Sequence, residues 1–283
     1  MAGGLNHRPQ AFPAPAKVNL FLHVTGRRAD GYHLLESLFA LIDLADVVTL
    51  RVRDDGRIAR TGSVEGVAED EDLALRAARA LQAETGARLG ADVGLRKRIP
   101  VGGGLGGGSS DAATVLLALN RLWNLGLTRA ALAGIGLRLG ADVPFFVHGE
   151  NALVRGIGEV IVPVSLPRQW LALAMPPVQV PTAAIFASAH LTRSTPSAKM
   201  NVFSEGYGRN DLEAVAASAY APVAGAIAAM AAAAGNARMS GSGACVIARC
   251  DSERSAREVL AALPRGTGGC VVRTLARHPL ATG

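Results

Sequence analysis

Few of the residues that staple small proteins or grip nucleic acids occur in this chain. Three cysteines in 283 residues are an odd number. Cys245, Cys250 and Cys270 have no metal-ligand spacing, so neither a disulfide framework nor a zinc site is indicated, and they read as buried, reduced side chains. Aromatics make up 4% of the chain, and the basic residues behind its net charge of +6 are scattered rather than gathered in a stripe. That distribution argues against a nucleic-acid partner. No apolar run reaches the length of a membrane span; the Ala-rich stretch from Tyr220 to Gly235 comes nearest and is interrupted by Pro222 and Gly225. The first twelve residues have neither a signal core nor an Arg-rich transit pattern, so a cytoplasmic protein without a membrane partner is expected. No motif specifies an oligomeric state. Lysine is scarcest of the charged residues, three against 26 arginines. A Lys inside a motif therefore suggests that the compact, titratable ammonium matters, which gives weight to Lys17 and little to Lys97 or Lys199.

What is present in excess is glycine, concentrated between Pro100 and Ser109. Gly102, Gly103, Gly104, Leu105, Gly106, Gly107 and Gly108 are followed by Ser109, Ser110 and Asp111. The alternating Val93, Leu95 and Ile99 before the run predict a strand, and the Ala- and Leu-rich segment from Asp111 to Trp123 predicts a helix, with Ser109, Ser110 or Asp111 as its N-cap. A flexible linker would lie between polar, low-complexity segments. A glycine loop between a strand and a helix start instead suits an anion, because the backbone can come close and the helix N-terminus offers unpaired N–H groups. No Lys follows the last glycine, so the loop is not a Walker A sequence. Gly102, Gly104 and Gly107 do match a dinucleotide fingerprint. The acidic residue such a fold needs about 20 positions on is missing, since no Asp or Glu occurs from Ala112 to Ala141.

The loop resembles the second motif of the GHMP kinases (galactose, homoserine, mevalonate and phosphomevalonate kinases), P-x-x-x-G-L-x-S-S-A. Pro100, Gly104, Leu105, Ser109 and Ser110 fit it, with additional glycine before the serines. The resemblance extends to Ala14-Pro-Ala-Lys17-Val-Asn19-Leu, Asp30-Gly-Tyr32-His33, Leu139-Gly-Ala-Asp142-Val-Pro144-Phe and Ser240-Gly-Ser-Gly243-Ala, in the family's order. It implies an α+β fold of two domains: residues 1–165, like domain 2 of ribosomal protein S5 and binding ATP, and residues 166–283, ferredoxin-like. The glycine-extended variant is similar to that of the family's branch acting on a cytidine-diphosphate-linked methylerythritol in non-mevalonate isoprenoid synthesis. The reaction implied is transfer of the γ-phosphoryl group of ATP to the 2-hydroxyl of that small-molecule acceptor, giving the 2-phosphate and ADP. A kinase for mevalonate or homoserine, and a non-catalytic nucleotide sensor, are the alternatives.

Phosphoryl transfer to an alcohol needs a held nucleotide, a nucleophilic oxygen near its γ-phosphate and stabilisation of charge there. The resemblance places the nucleotide on Pro100, Gly102, Gly103, Gly104, Leu105, Gly106, Gly107, Gly108, Ser109 and Ser110. It makes Asp142 the general base and Lys17 the ammonium that contacts both the carboxylate and the acceptor hydroxyl. Asn19, Tyr32, His33, Asp142, Phe186, Ser240 and Gly241 are expected at the acceptor, with Tyr32, His33 and Phe186 around the cytosine ring. From the residues alone, Asp142 before Pro144 is a helix cap and Lys17 a solvated strand-end charge. Mg²⁺ is expected with the ATP, its ligands undetermined; the acid-free interval from Ala112 to Ala141 excludes the glutamate that some relatives use.

Alternation predicts a strand from Lys17 to Val24 with Lys17, Asn19, Phe21 and His23 on one face. Further strands are expected at Asp46–Val52, Trp170–Met175, Ala244–Cys250 and Cys270–Leu275, and a hairpin at Asn151–Val164. Helices are expected at Asp72–Thr85, with acids in the first turn, and at Thr128–Leu139, Thr182–Ala189 and Ser252–Leu263. Asn210–Gly235 reads as one or two helices broken near Pro222.

Overall fold

A computed structural model of the chain describes residues 7–197 and 208–281, which leaves Lys199 outside the described residues. The first sheet is built on two long strands, β1 (Gln10–Arg27) and β2 (His33–Arg53), joined by the turn at Asp30-Gly31 and paired antiparallel from Gln10↔Leu50 to Arg27↔His33. The opposite edge of β2 is shared. Its C-terminal part pairs with β4 (Gly90–Arg96) and its N-terminal part with β5 (Ala152–Gly156), while β3 (Ile58–Thr61) and β6 (Val160–Pro163) flank these.

Four helices pack on this sheet: α1 (Leu73–Thr85), α2 (Gly107–Leu122), α3 (Arg129–Leu137) and α4 (Val143–His148). The acids expected inside the first turn of α1 precede it; Asp72 is its N-cap and accepts from the Ala74 N–H, and Gly86 ends the helix at φ 64°. Thr128 caps α3 in the same way, through the Ala131 N–H.

Six strand residues of a second sheet begin at Trp170. Along the chain the order is β7 (Trp170–Met175), α5 (Thr182–Ala187), α6 (Glu213–Ala219), α7 (Ala221–Ala234), β8 (Arg238–Met239), β9 (Val246–Cys250), α8 (Glu253–Ala261) and β10 (Gly268–Arg273). The spatial order β10-β7-β9-β8, all antiparallel, is the split βαββαβ arrangement of a ferredoxin-like layer. The break between α6 and α7 falls at Tyr220, with Pro222 in the first turn of α7, where its missing N–H costs nothing. Cys245 is buried, whereas Cys250 and Cys270 are only half-buried, and all three are free thiols.

A separate apolar cluster joins the two sheets. Ala16, Val18, Ala40 and Ile42 from the first meet Leu171, Leu173, Ile247 and Val272 from the second, with Ile99, Cys245 and, from the glycine loop, Leu105 among them. Full burial of one such leucine stabilises by about 1.5–3 kcal/mol. The loop is thereby anchored in the seam between the layers.

Candidate active site

The glycine loop is shaped by what its backbone must approach. Gly104 has φ 77°, and a Cβ there would overlap the Ser240 carbonyl. Gly106 has φ 71° and would meet the Phe146 ring at 3.0 Å. Both positions need glycine for conformation and for space. Leu105 between them is 1% exposed, and its carbonyl accepts the Lys17 N–H at 2.9 Å, tying the loop to β1.

The helix after the loop starts earlier than its composition suggests. Gly106 is the N-cap of α2, so Gly107, Gly108, Ser109 and Ser110 form its first turn, and no side chain caps it. The first helical bond runs from Ser110 N–H to Gly106 carbonyl at 2.9 Å. The N–H groups of Gly107, Gly108 and Ser109 therefore lack partners within the helix. All three residues line a cavity of about 330 Å³, together with Pro100 and Gly102–Gly106. Ser110 points the other way: it is fully buried, and its hydroxyl donates to the Pro15 carbonyl at 2.6 Å.

Lys97, which carries no motif, lines that same cavity. Its ammonium sits between the buried carboxylates of Asp46 and Asp111, the latter at 2.5 Å. Asp46 also accepts the Arg98 and Ile99 N–H groups, which fixes the chain leading into the loop. One ammonium cannot neutralise two buried carboxylates. Burial and the neighbouring Asp46 push the Asp111 carboxyl up to about 7 against the pull of Lys97, while the two carboxylates raise the Lys97 ammonium despite its own burial. The Oδ1 atom of Asp111 is buried without a hydrogen bond.

A second cavity of about 260 Å³ lies on the other side of the loop, and Gly102, Gly104 and Gly106 line both. Its walls include Lys17, Asn19, Ser37, Phe39, Asp142, Phe186 and Gly241. The Lys17 ammonium lies 3.5 Å from Asp142 Oδ2, donates to Asn19 Oδ1 at 2.6 Å and sits 4.4 Å from the centre of the Phe39 ring. Lys17 is 4% exposed, so it is not the solvated strand-end charge that isolated sequence suggests. Asp142 does occupy the N-cap position of α4, but its side chain makes no capping bond. Its carboxylate is left for the cavity.

The expected alternation along β1 holds only in part. A register irregularity between Asn19 and Phe21 shifts the faces, so Leu22, not Phe21 or His23, follows Lys17 and Asn19 on the cavity wall. Phe21 packs instead with Leu38 and Leu153.

Ser240 is fully buried. Its hydroxyl donates to the Gly104 carbonyl at 3.0 Å and accepts the Asn19 N–H at 3.1 Å, which clamps the second sheet's turn onto both the loop and β1. Gly241 and Ser242 reach the cavity. His33 stacks on Phe186 with ring centres 4.9 Å apart, while Tyr32 is 63% exposed beyond the cavity wall. Ser37, Phe39, Ile157 and Gly158 join this wall from β2 and the β5–β6 turn without any sequence signal.

A glycine cradle with unpaired helix N–H groups and an Asp–Lys pair thus lie on opposite faces of one loop, an arrangement suited to a small-molecule kinase. Residues 72–150 match the GHMP kinases N terminal domain and residues 192–271 the GHMP kinases C terminal model. The 4-diphosphocytidyl-2-C-methyl-D-erythritol kinase of Thiobacillus denitrificans is 59% identical, covering 96% of this chain and 97% of its own. That of Cupriavidus necator is 56% identical, with 95% and 94% covered. A solved structure of a 4-(cytidine 5'-diphospho)-2C-methyl-D-erythritol kinase superposes with a TM-score of 0.82 at 34% identity, over 94% of this chain and 99% of that one. A mevalonate kinase structure, 15% identical with a TM-score of 0.68, covers 94% of this chain and 99% of its own and shares the fold. The chain belongs to the GHMP kinase family and, within it, to the group of 4-diphosphocytidyl-2-C-methyl-D-erythritol kinases.

Proposed function

We propose that this enzyme transfers the γ-phosphoryl group of ATP to the 2-hydroxyl of 4-diphosphocytidyl-2-C-methyl-D-erythritol, giving the 2-phosphate and ADP for non-mevalonate isoprenoid precursor synthesis. The observation that carries the mechanism is the shared wall: the glycine loop separates a cavity lined by unpaired helix N–H groups from one holding Lys17 and Asp142. On this reading ATP lies on the α2 side, with the N–H groups of Gly107, Gly108 and Ser109 and the helix dipole holding its phosphates. The acceptor lies on the Lys17 side, its hydroxyl between the Lys17 ammonium and the Asp142 carboxylate. Asp142 takes the hydroxyl proton as the oxygen attacks phosphorus, and Lys17 stabilises the developing oxyanion. Asn19 holds the ammonium by accepting one of its three N–H bonds, leaving donors for the acceptor.

Phe186, with His33 stacked on it, would receive the cytosine ring, and the exposed Tyr32 would close on its other face. Ser110 and Ser240 act by shaping the loop, since their hydroxyls are engaged with backbone carbonyls. Mg²⁺ bound with ATP would supply charge neutralisation to its phosphates. Among the described residues no three His, Cys, Asp or Glu side chains come together to hold a metal. Residues 1–165 and 166–283 form the two domains on this reading, a division supported by the change of sheet between Pro163 and Trp170. Among the described residues no helix is long and apolar enough to cross a membrane, and we place the enzyme in the cytoplasm with small molecules as its ligands.

The test is ADP release from ATP with the cytidyl acceptor, mevalonate and homoserine in parallel. Turnover with the first alone is expected. Equal rates on all three, or none on the first, would sink the reading.

A further inference from the structure

The helix that carries Asp142 is tied down at its far end by a residue outside every motif. α4 is buried from Val143 to Val147, but apolar contact is non-directional. Its N-terminal end gains no directional restraint from the Asp142 side chain, which makes no capping bond and stands 3.5 Å from Lys17. The C-terminal end has several. Arg129, at the start of α3, donates from Nη1 to the last carbonyls of α4, Val147 at 2.7 Å and His148 at 3.1 Å, and its charge suits the negative end of the helix. From Nη2 it donates to the carbonyls of Leu280 at 3.3 Å and Ala281 at 2.9 Å. One guanidinium thus joins α4 to a strap that follows β10.

The strap, residues 274–281, leaves the second sheet and runs back onto the elements of the first. The Leu275 N–H donates to the Leu41 carbonyl at 2.8 Å, buried Asn151 bonds both the Leu41 N–H and the Leu275 carbonyl, and the His278 N–H donates to the Gly149 carbonyl at 2.8 Å. Arg277 pairs with Glu150 at 2.9 Å. His278 is 1% exposed, and its Nδ1 accepts the Leu280 N–H at 3.1 Å, so Nε2 carries the ring proton and faces the Thr114 hydroxyl of α2 at 3.4 Å. Burial, and then the Arg129 charge, push that ring's pKa down to about 4, which keeps it neutral near pH 7. The strap accordingly fastens two helices at once: α2, whose first turn carries the unpaired N–H groups, and α4, whose N-cap is Asp142. Those helix starts face different cavities across the glycine loop.

We propose that Arg129 is a positioning residue for phosphoryl transfer: by pinning the C-terminal end of α4 to the strap, it fixes where Asp142 stands relative to the donor held by α2. A six-residue helix is about 9 Å long and moves as one piece, so freedom at one end is carried to the other. Misplacing a reacting group by about 1 Å can cost on the order of 10² in rate. The second sheet then contributes to the chemistry through its strap, in addition to the apolar seam around Leu105. This role presupposes Asp142 as the general base.

A double-mutant cycle on the full-length protein, with ATP and the cytidyl acceptor each varied, decides it. Arg129→Met is expected to lower kcat about tenfold while both KM values stay within about twofold of the parent's. In an Asp142→Asn background, where no base remains to be aimed, the same change should lower kcat by less than about twofold. Arg129→Lys keeps a charge at the end of α4 without the planar fork, and its kcat should fall between those of the parent and Arg129→Met. Urea denaturation of each variant runs alongside. A loss of stability should be the same in both backgrounds, so it cannot imitate the disappearance of the kcat effect. An unchanged kcat in Arg129→Met, with only the denaturation midpoint lowered, makes Arg129 a structural residue and overturns the role. An undiminished loss in the Asp142→Asn background overturns it as well. If Arg129→Met does not fold, Arg129→Lys in both backgrounds carries the same decision. Near-normal turnover in Asp142→Asn alone overturns the base reading, and the positioning role with it.

Discussion

Lys17 and Lys97 stand on opposite sides of the same glycine loop and keep different company. Lys17 is held at 2.6 Å by the neutral Asn19, while its carboxylate partner Asp142 stays 3.5 Å away at the cavity wall. Lys97 is wedged between two carboxylates that are themselves buried, Asp46 and Asp111. An ammonium with a loose ionic partner and spare donors can engage a ligand; one clamped between two buried carboxylates holds structure together. The difference lies in the partners and not in burial, since Lys17 is the more enclosed of the two side chains.

The contrast is broken most directly at Asp142. Asp142→Asn is expected to lower kcat by about 10² to 10⁴, the usual range for a general base, with the denaturation midpoint little changed. Near-normal turnover would remove Asp142 from the chemistry. On the other side, Lys97→Met strands two buried carboxylates, and urea denaturation should show a loss of about 3–5 kcal/mol. Lys17→Met should lose turnover while unfolding close to the parent. If both variants unfold alike, the two lysines do not differ as described.

Within the loop, Gly104→Ala meets the Ser240 carbonyl at φ 77° and should cost more than about 2 kcal/mol in stability, since left-handed strain adds to the overlap. Gly108→Ala, in the first turn of α2 with only Leu73 at ordinary contact distance, should leave stability equal or raise it by up to about 1 kcal/mol. Equal destabilisation by the two changes would mean that the clamp through Ser240 does not shape the loop.

The most gradual effect concerns pH. The native Asp111 carboxyl titrates at about 7, above the ordinary value near 4 of an unfolded chain, so between these pH values the native state holds the extra proton. Its stabilising contribution is fully present below about pH 4 and is lost as pH rises toward 7, with a slope of at most about 1.4 kcal/mol per pH unit. Asp111→Asn should flatten that part of the stability profile. A profile identical to the parent's would place the unusual proton elsewhere.

Much of this site is legible before any coordinates. Lys17, Asp142 and the glycine loop stand in recognisable order because each needs a residue type that little else replaces. Other parts are not legible. The irregularity after Asn19 shifts the faces of β1, and alternation read from the sequence cannot see it because the extra residue, Leu20, is apolar like Val18 and Leu22 and so continues the apparent alternation. Ser110 and Ser240 look like phosphate and acceptor ligands, but their hydroxyls serve carbonyls brought to them by β1 and by the loop, 95 and 136 residues away in sequence. Arg129 is one of 26 arginines, and only its four acceptors distinguish it.

The sequence by itself determined the family, the α+β composition and the position of the glycine loop. Those follow from local signals: glycines before a helix, alternation in strands, and motifs in a fixed order. Tertiary structure alone decided which lysine keeps a loose ionic partner at a cavity wall, which serine hydroxyls bond backbone carbonyls and how the two cavities share one wall. Each of those outcomes depends on the distance between groups far apart in the chain, set by how the two sheets close over Leu105 and its apolar neighbours.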